Sequence, residues 1–389
     1  MTLAVRFLFV LYTAKYSYAV TKGGDFLSIG LFIVSIFLYV ILLIFFKDSM
    51  AAAQSGFLLW LNSVMPALFP FMVCTYVMQS SGVISYIAER LFSAKRLITR
   101  FLLLLFVFTL CSIAGAPSGA RIFGSMFSKS SISKRYLSML VASCNQFSPM
   151  FIAGTLCLSF LNAPELSIPI MIAHYGSAVP ILILLAIQVK NQSISLTFDI
   201  VEKSSFFNVL SKGLSDSLSA ILKVGAAIVF FMVLQTALTR LSVIDIMAKP
   251  LTMIGIDNTH AHALITGAIE LTNGCALLSG QNTTEISAAY AAFMLSFGGV
   301  CIFMQSLLFC KVSPSTYFAT KAIQGCIAYF ICRLVTPLFF TAKSVFAQID
   351  TDAAFLHSTG VFAMICASLI SGCALFIVCH CMRRKRRLI

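Results

Sequence analysis

Long apolar runs without a charge constrain this chain more than any other feature. Phe26–Phe46 carries no charged residue and can cross a hydrocarbon core of about 30 Å, which takes about 20 helical residues. Similar runs occupy Ser49–Ala88, Phe101–Ala120, Tyr136–Pro164, Ile286–Cys310 and Ser358–Met382. Leu166–Val189 carries only His174 among titrating groups, Val224–Thr239 begins just after Lys223, and Ala322–Ala342 is interrupted by Arg333. With 59% hydrophobic and 10% charged residues, the composition excludes a soluble globular domain. The sequence predicts an all-α polytopic membrane protein of about eight to ten transmembrane helices, some of them broken or re-entrant.

The formal charge of +14 raises nucleic acid as a partner, but the distribution of the charge argues against it. Basic residues cluster in short loops (Arg90, Lys95, Arg96 and Arg100, then Lys129, Lys134 and Arg135) and in a tail, Arg383-Arg384-Lys385-Arg386-Arg387. That is the positive-inside pattern that orients spans. The tail directly follows an apolar run, which places it on the cytoplasmic face near anionic lipid. The 343–358 stretch, with Asp350 and Asp352, reads as external. Leu3–Val20 carries Arg6 and Lys15 and reads as an uncleaved interfacial segment, with a removed signal peptide as the alternative. The 13 cysteines are scattered through apolar runs without a C-x-x-C pair, so they read as small hydrophobes, not metal ligands.

The longest polar stretch, Lys190–Ser217, divides the chain. The expected organisation is an N-terminal segment and first span (1–48), a first repeat (49–189), a polar linker (190–217), a second repeat (218–342), and a last span with its basic tail (343–389). The repeats rest on a shared grammar. AGAPSGAR at 114–121 is followed by SCNQFSPMFIAG at 143–154; ITGAIELTNG at 265–274 is followed by LSFGGVCIFMQ at 295–305. Gly115-Ala116 answers to Gly267-Ala268, and Phe147-Ser148-Pro149 to Phe297-Gly298-Gly299. Helix-breaking segments in corresponding halves of a membrane protein point to a solute transporter's binding site.

Pro117, flanked by Gly115 and Gly119, makes a continuous helix through 112–121 unfavourable by about 3 kcal/mol. Broken backbone survives at membrane depth only where protein or a wet cavity surrounds it. The half-helix ends would offer N–H groups to an anion, with hydroxyls from Ser112 and Ser118. Arg121 reads either as a bidentate partner for a carboxylate or as an interface residue opening the basic loop. Glu270, with Thr272 and Asn273, is a functional candidate because a charged group at a helix centre costs roughly 2.5–3.5 kcal/mol on insertion scales. It would bind a proton or cation, or hydrogen-bond the substrate. Asn145, Gln146 and Ser148 head the helix after Pro149 and read as cap or cavity lining. Gly298, Gly299 and Gln305 hold the matching place, where packing alone is the other reading. His174 beside Tyr175 reads as a proton relay or as a hydrogen-bonded structural histidine. Lys223 reads as snorkelling to the interface, and Pro66 and Pro70 as marking a kinked or interfacial helix. No G-x-x-x-x-G-K-[ST] or H-E-x-x-H occurs, and no serine has an identifiable base, so no enzymatic site is expected.

These residues resemble the sporulation integral membrane proteins of the YlbJ family, within the larger group that carries the nucleoside-recognition gate domain. The resemblance spans roughly 50–340. It rests on GFLLWLNSVMPALFPF (56–71), the element at 115–121, N-x-x-x-P-x-F at 145–151, His174-Tyr175, G-x-x-E-x-T-N-G at 267–274, and SFGG with Gln305. It implies transport of dipicolinate across a membrane enclosing the developing spore of an endospore-forming bacterium, with re-entrant hairpins at the site. The chain departs from the common pattern at Ala116 and at Asn145-Gln146-Phe147-Ser148-Pro149, both in the expected pocket. The alternatives are a permease for nucleosides or other small metabolites, and a non-transporting scaffold. The expected partners are a small anion, a coupling proton or cation, membrane lipids and a second copy of the chain, with no nucleic acid, metal or cofactor.

Overall fold

A bilayer offers no hydrogen-bond partner to exposed backbone, and the chain is accordingly helical almost throughout. The computed structural model describes residues 25–127, 132–189, 205–278 and 285–345; no strand occurs among them. Six helical stretches there are long and apolar enough to cross a membrane: Phe46–Ser80, Leu97–Ala114, Pro164–Gln188, Phe206–Arg240, Glu285–Leu307 and Pro314–Phe339. Ile29–Ile44 and Phe151–Phe160 are shorter apolar helices. The expected interfacial segment 1–20, the final span, the basic tail and linker residues 190–204 lie outside the described residues.

The chain divides into two compact units, 1–51 and 52–389. In the first, α1 (Asp25–Ile44) is apolar on nearly every side, with Leu31, Phe37, Tyr39 and Leu43 exposed. A helix that is hydrophobic all round belongs in lipid or in a core. The second unit holds the site. Its helices are α2 (Phe46–Leu59, shared with the first unit), α3 (Met65–Ser80), α4 (Val83–Ser93), α5 (Leu97–Ala114), α6 (Ser118–Met126), α7 (Lys134–Cys144), α8 (Ser167–Gly176), α9 (Val179–Gln188), α10 (Phe206–Arg240), α11 (Val243–Met253), α12 (Asn258–Ile269), α13 (Leu271–Ala276), α14 (Glu285–Phe297), α15 (Gly299–Leu307) and α16 (Pro314–Val345). A π-helical turn at Trp60–Val64 joins α2 to α3, just before Pro66 and Pro70. The Trp60 indole nitrogen donates to the Ile221 carbonyl at 3.1 Å, and the ring lies over Gly225, locking this turn onto α10.

Helix α16 shows why the lipid and protein faces separate. Tyr317, Lys321, Gln324, Ala328, Cys332 and Thr336 are buried, whereas Ile323, Phe330, Leu334 and Leu338 are exposed. The buried set recurs at the helical period and packs on α14, α8 and α7; the exposed set is apolar, as lipid requires and water would not tolerate.

Two hairpins enter from opposite ends. At one end Arg100 donates to the carbonyls of Ala94 (2.8 Å), Lys95 (3.4 Å) and Ala186 (3.4 Å), and the Tyr136 hydroxyl donates to Leu185 (3.3 Å). This gathers the starts of α5 and α7 and the end of α9 beside Arg90, Lys95, Arg96, Lys134 and Arg135. From this basic end α5 runs inward to Gly115 and α6 returns. Hairpin α12–α13 comes from the other end, breaking at Glu270. Each hairpin is followed by an interrupted span: α7, the extended stretch Asn145–Ser148, and a helix resuming at Pro149 that passes into a π-helical stretch at Phe151–Phe160; then α14, Gly298 and α15. Gly298 and Gly299 both have positive φ (79° and 77°), which side chains disfavour, and a Cβ on Gly299 would lie 2.7 Å from the Gly267 carbonyl oxygen.

The expected boundaries at 48/49, 217/218 and 342/343 each fall inside one helix: α2, α10 and α16. The second half of the linker, expected to contain an amphipathic helix, forms the first turns of α10, whose N-terminus is capped by Ser205, its hydroxyl accepting from the Asn208 N–H at 3.3 Å.

Hairpin α12–α13 depends on glycine contact, since a Cβ on Gly274 would sit 2.3 Å from the Gly267 Cα. Gly274→Ala is expected to destabilise the purified protein by about 1–3 kcal/mol, the usual cost of overpacking. Gly30→Ala, with nothing within 4 Å of the new atom, should leave the thermal midpoint unchanged or slightly raised.

Candidate functional site

The four breaks meet. Gly115 and Ala116 from the first hairpin, Phe147 and Ser148 from the first interrupted span, Glu270, Leu271 and Thr272 from the second hairpin, and Ile302 and Gln305 from α15 line one cavity, with Val224 and Ile228 of α10 and Val64, Ala67 and Leu68 at the start of α3 completing its wall. About 50 Å³ is open to water centres, room for a few waters. The lining is mainly apolar, with Glu270 its one formal charge.

Of the residues singled out from sequence, Gly115, Ser148, Glu270, Thr272 and Gln305 line this cavity. The Glu270 carboxylate caps α13: its Oε2 accepts from the Asn273 N–H at 3.0 Å and from the Thr272 hydroxyl. Asn273 points elsewhere, its amide donating to Gln235 of α10 at 3.1 Å. Gln305 donates to the Cys301 sulfur at 3.4 Å. Ser112 bonds back to the Phe108 carbonyl of its own helix at 2.8 Å. Pro117, after a cis Ala116–Pro117 bond, precedes α6, whose first turn contains buried Ser118 and Gly119.

Several N–H groups at the half-helix N-termini, expected to face a ligand, are taken up by the chain itself. The Ser118 N–H goes to the Gly115 carbonyl (3.0 Å) and the Ala120 N–H to the Asn145 side-chain oxygen (3.0 Å), while Glu270 serves α13. The chain supplies its own caps. Arg121 is also away from the cavity. One turn beyond the hairpin tip, it donates to the Met72 carbonyl and the Ser217 hydroxyl, all at 3.3 Å, and lies 6.0 Å from the Tyr76 ring centroid.

Beside the cavity lies a buried polar network that pairs the backbone of Asn145 and Phe147 in the unwound stretch. The Asn145 carbonyl accepts from the Lys321 ammonium at 2.7 Å, and the Asn145 side-chain nitrogen donates to Ser306 at 2.6 Å. Gln146 and Gln324 exchange two amide hydrogen bonds (3.0 and 3.3 Å). The Phe147 N–H donates to His174 Nε2 at 3.2 Å, and the Phe147 carbonyl accepts from the Tyr175 hydroxyl at 2.7 Å. Because Nε2 accepts, the neutral ring carries its proton on Nδ1, which faces Ser296 at 2.9 Å. His174 is thus a fully hydrogen-bonded structural histidine. Lys321 and Gln324 were not singled out from sequence. The signal was there, since Lys321 abuts the apolar run Ala322–Ala342 and shares a helix face with Tyr317 and Gln324.

Two further cavities flank the central one. Towards the basic end, about 320 Å³ is lined by Tyr76, Gln79, Arg121, Asp216 and Lys223, among others. Towards the other end, about 520 Å³ is lined by Gln235, Thr239, Asp245, His262, Thr266 and Asn273, among others. There His262 Nε2 lies 3.0 Å from an Asp245 oxygen, and hydrogen bonds from His262 and Ser242 hold the Asp245 carboxyl below its usual range. All three cavities touch α10: at Asp216, Ser219, Ala220 and Lys223, then Val224 and Ile228, then Gln235 and Thr239. From Asp216 to Thr239 is about 35 Å of helix, a membrane thickness.

Fold and site together define a multi-pass, all-helical membrane protein with broken helices around a central, mainly apolar cavity that holds one carboxylate. The chain is similar to the sporulation integral membrane protein YlbJ of Bacillus subtilis (strain 168), with 22% identity over 367 residues covering 85% of this chain and 90% of that protein. No family model matches the chain, and no solved structure matches it.

The Gln146–Gln324 pair is fully buried, so removing one partner costs the other a buried hydrogen bond. Gln146→Ala and Gln324→Ala should each cost about 1–3 kcal/mol, with the double variant costing clearly less than their sum in thermal unfolding.

Proposed function

We propose that this chain is a transporter for a small anionic aromatic metabolite, dipicolinate, in the membrane around a developing spore. The carrying observation is the succession of three cavities along α10, with the tips of two oppositely entering hairpins at the middle one. A transport path needs a mouth on each side and a site between them, at discontinuous helices. The likeness to a sporulation membrane protein supports the setting, and the opposed hairpins support reading the halves as inverted repeats related to gate-domain proteins.

On this reading the mouth beside Arg121 and Lys223 is cytoplasmic by the positive-inside rule and gathers anions. The central cavity is too small for an aromatic dicarboxylate as it stands, so the hairpin tips part to admit one. Glu270 sets the electrostatic condition. A dianion beside an ionised carboxylate is repelled, so the cargo enters together with a proton that neutralises Glu270. Lowering the pH on the entry side therefore accelerates flux. A second reading, a permease for a neutral metabolite such as a nucleoside, is favoured by one observation: no basic side chain lines the central cavity.

The test is flux of labelled dipicolinate into proteoliposomes, with uridine as competitor and a pH gradient on or off. Saturable, gradient-stimulated flux indifferent to uridine is expected; uridine flux with none of dipicolinate would establish the second reading. Glu270→Gln should retain flux but lose the gradient's effect. Arg121→Ala should raise KM several-fold with kcat nearly unchanged, because the residue lines the mouth and not the central cavity.

A further inference from the structure

Lys321 is fully buried in the spanning helix α16, and its ammonium donates to two oxygens, the Asn145 carbonyl at 2.7 Å and the Gln324 side-chain oxygen at 3.4 Å. Among the described residues no carboxylate lies within ion-pair distance of it. Lys321 lies about two turns inside the span that begins at Pro314, and a buried charge within a span is costly and kept only with a specific role or specific partners. The partners here have a particular character. Asn145 follows the last residue of α7, so its carbonyl sits at the negative end of a half-helix, where the chain has unwound. Unwound carbonyls and half-helix C-termini are where membrane transporters seat a monovalent cation.

We propose that Lys321 is a tethered cation: its ammonium fills a seat, at the end of α7 and the broken stretch Asn145–Ser148, that would otherwise take a sodium ion. The wild-type chain then needs no sodium to hold its centre together. Removing the side chain while leaving the oxygens creates a sodium site. Lys321 is a positioning residue in this account, acting through the Asn145–Ser148 stretch that presents Phe147 and Ser148 to the central cavity.

The experiment is thermal unfolding of the purified full chain in detergent, in choline, sodium or potassium chloride at one ionic strength. The wild type should unfold at the same temperature in all three. Lys321→Ala should unfold several degrees lower in choline and regain most of that loss saturably with sodium. Lys321→Gln, which fills the seat without a charge, should be destabilised and indifferent to sodium. A sodium-stabilised wild type would overturn the proposal, as would a Lys321→Ala chain as stable as wild type in choline or equally weakened in every salt. If Lys321→Ala yields no folded protein in choline, the comparison is its yield when purified in sodium: recovery supports the seat, and failure in both salts while Lys321→Gln folds as stably as wild type overturns it. None of these readouts requires transport. Where the transport reading also holds, Lys321→Ala flux becomes sodium-dependent while wild-type flux does not.

Discussion

Unwound backbone inside a membrane must find every hydrogen bond within the protein, and this requirement organises the molecule. At Asn145 and Phe147 the requirement is met by side chains from two other helices. Lys321 comes from α16, while His174 and Tyr175 come from α8. Asn145 in turn caps α6 and bonds Ser306 of α15. The same residues that make the break tolerable therefore fix where two hairpins and two interrupted spans meet. A cavity appears there because four chain breaks cannot pack as closely as four helices.

The charges follow from this arrangement. Glu270 faces the cavity as the cap of α13, whereas Lys321 is buried behind the broken stretch with only neutral oxygens around it. Neither neutralises the other by contact. The acidic group is placed where cargo would feel it, and the basic group where it holds the scaffold. Two basic side chains, Arg121 and Lys223, line the neighbouring cavity together with Asp216.

Much of this was legible in the sequence and some was not. Apolar runs fixed the helical membrane class, and glycine, proline and a lone carboxylate marked the breaks; Gly115, Ser148, Glu270, Thr272 and Gln305 do converge. Arg121 was harder to place because a motif gives spacing but not direction: α6 turns back at Pro117, carrying Arg121 away from the tip. The capping of the half-helix N-termini was not legible either, because Asn145 and Glu270, which each take up an N–H there, are brought in by the fold. Lys321 was missed because a charge beside an apolar run looks like its boundary. Only the burial of Tyr317, Gln324 and Ala328 on the same face shows that the span begins earlier, at Pro314.

The central claim is that the cavity between the hairpin tips is reached by water and cargo from both mouths. Cysteine accessibility measures this most directly, using a chain in which Cys74 and Cys326, exposed among the described residues, and Cys366, Cys373, Cys379 and Cys381, which lie outside them, are replaced by serine. Ile228→Cys is placed in the central cavity, and Ser219→Cys and Thr239→Cys mark the two mouths. The account requires each mouth to react with an impermeant thiol reagent from its own side only, and Ile228→Cys from both sides, with dipicolinate slowing the reaction at 228. A cysteine at 228 that reacts from neither side, or as fast with dipicolinate as without it, would contradict the account.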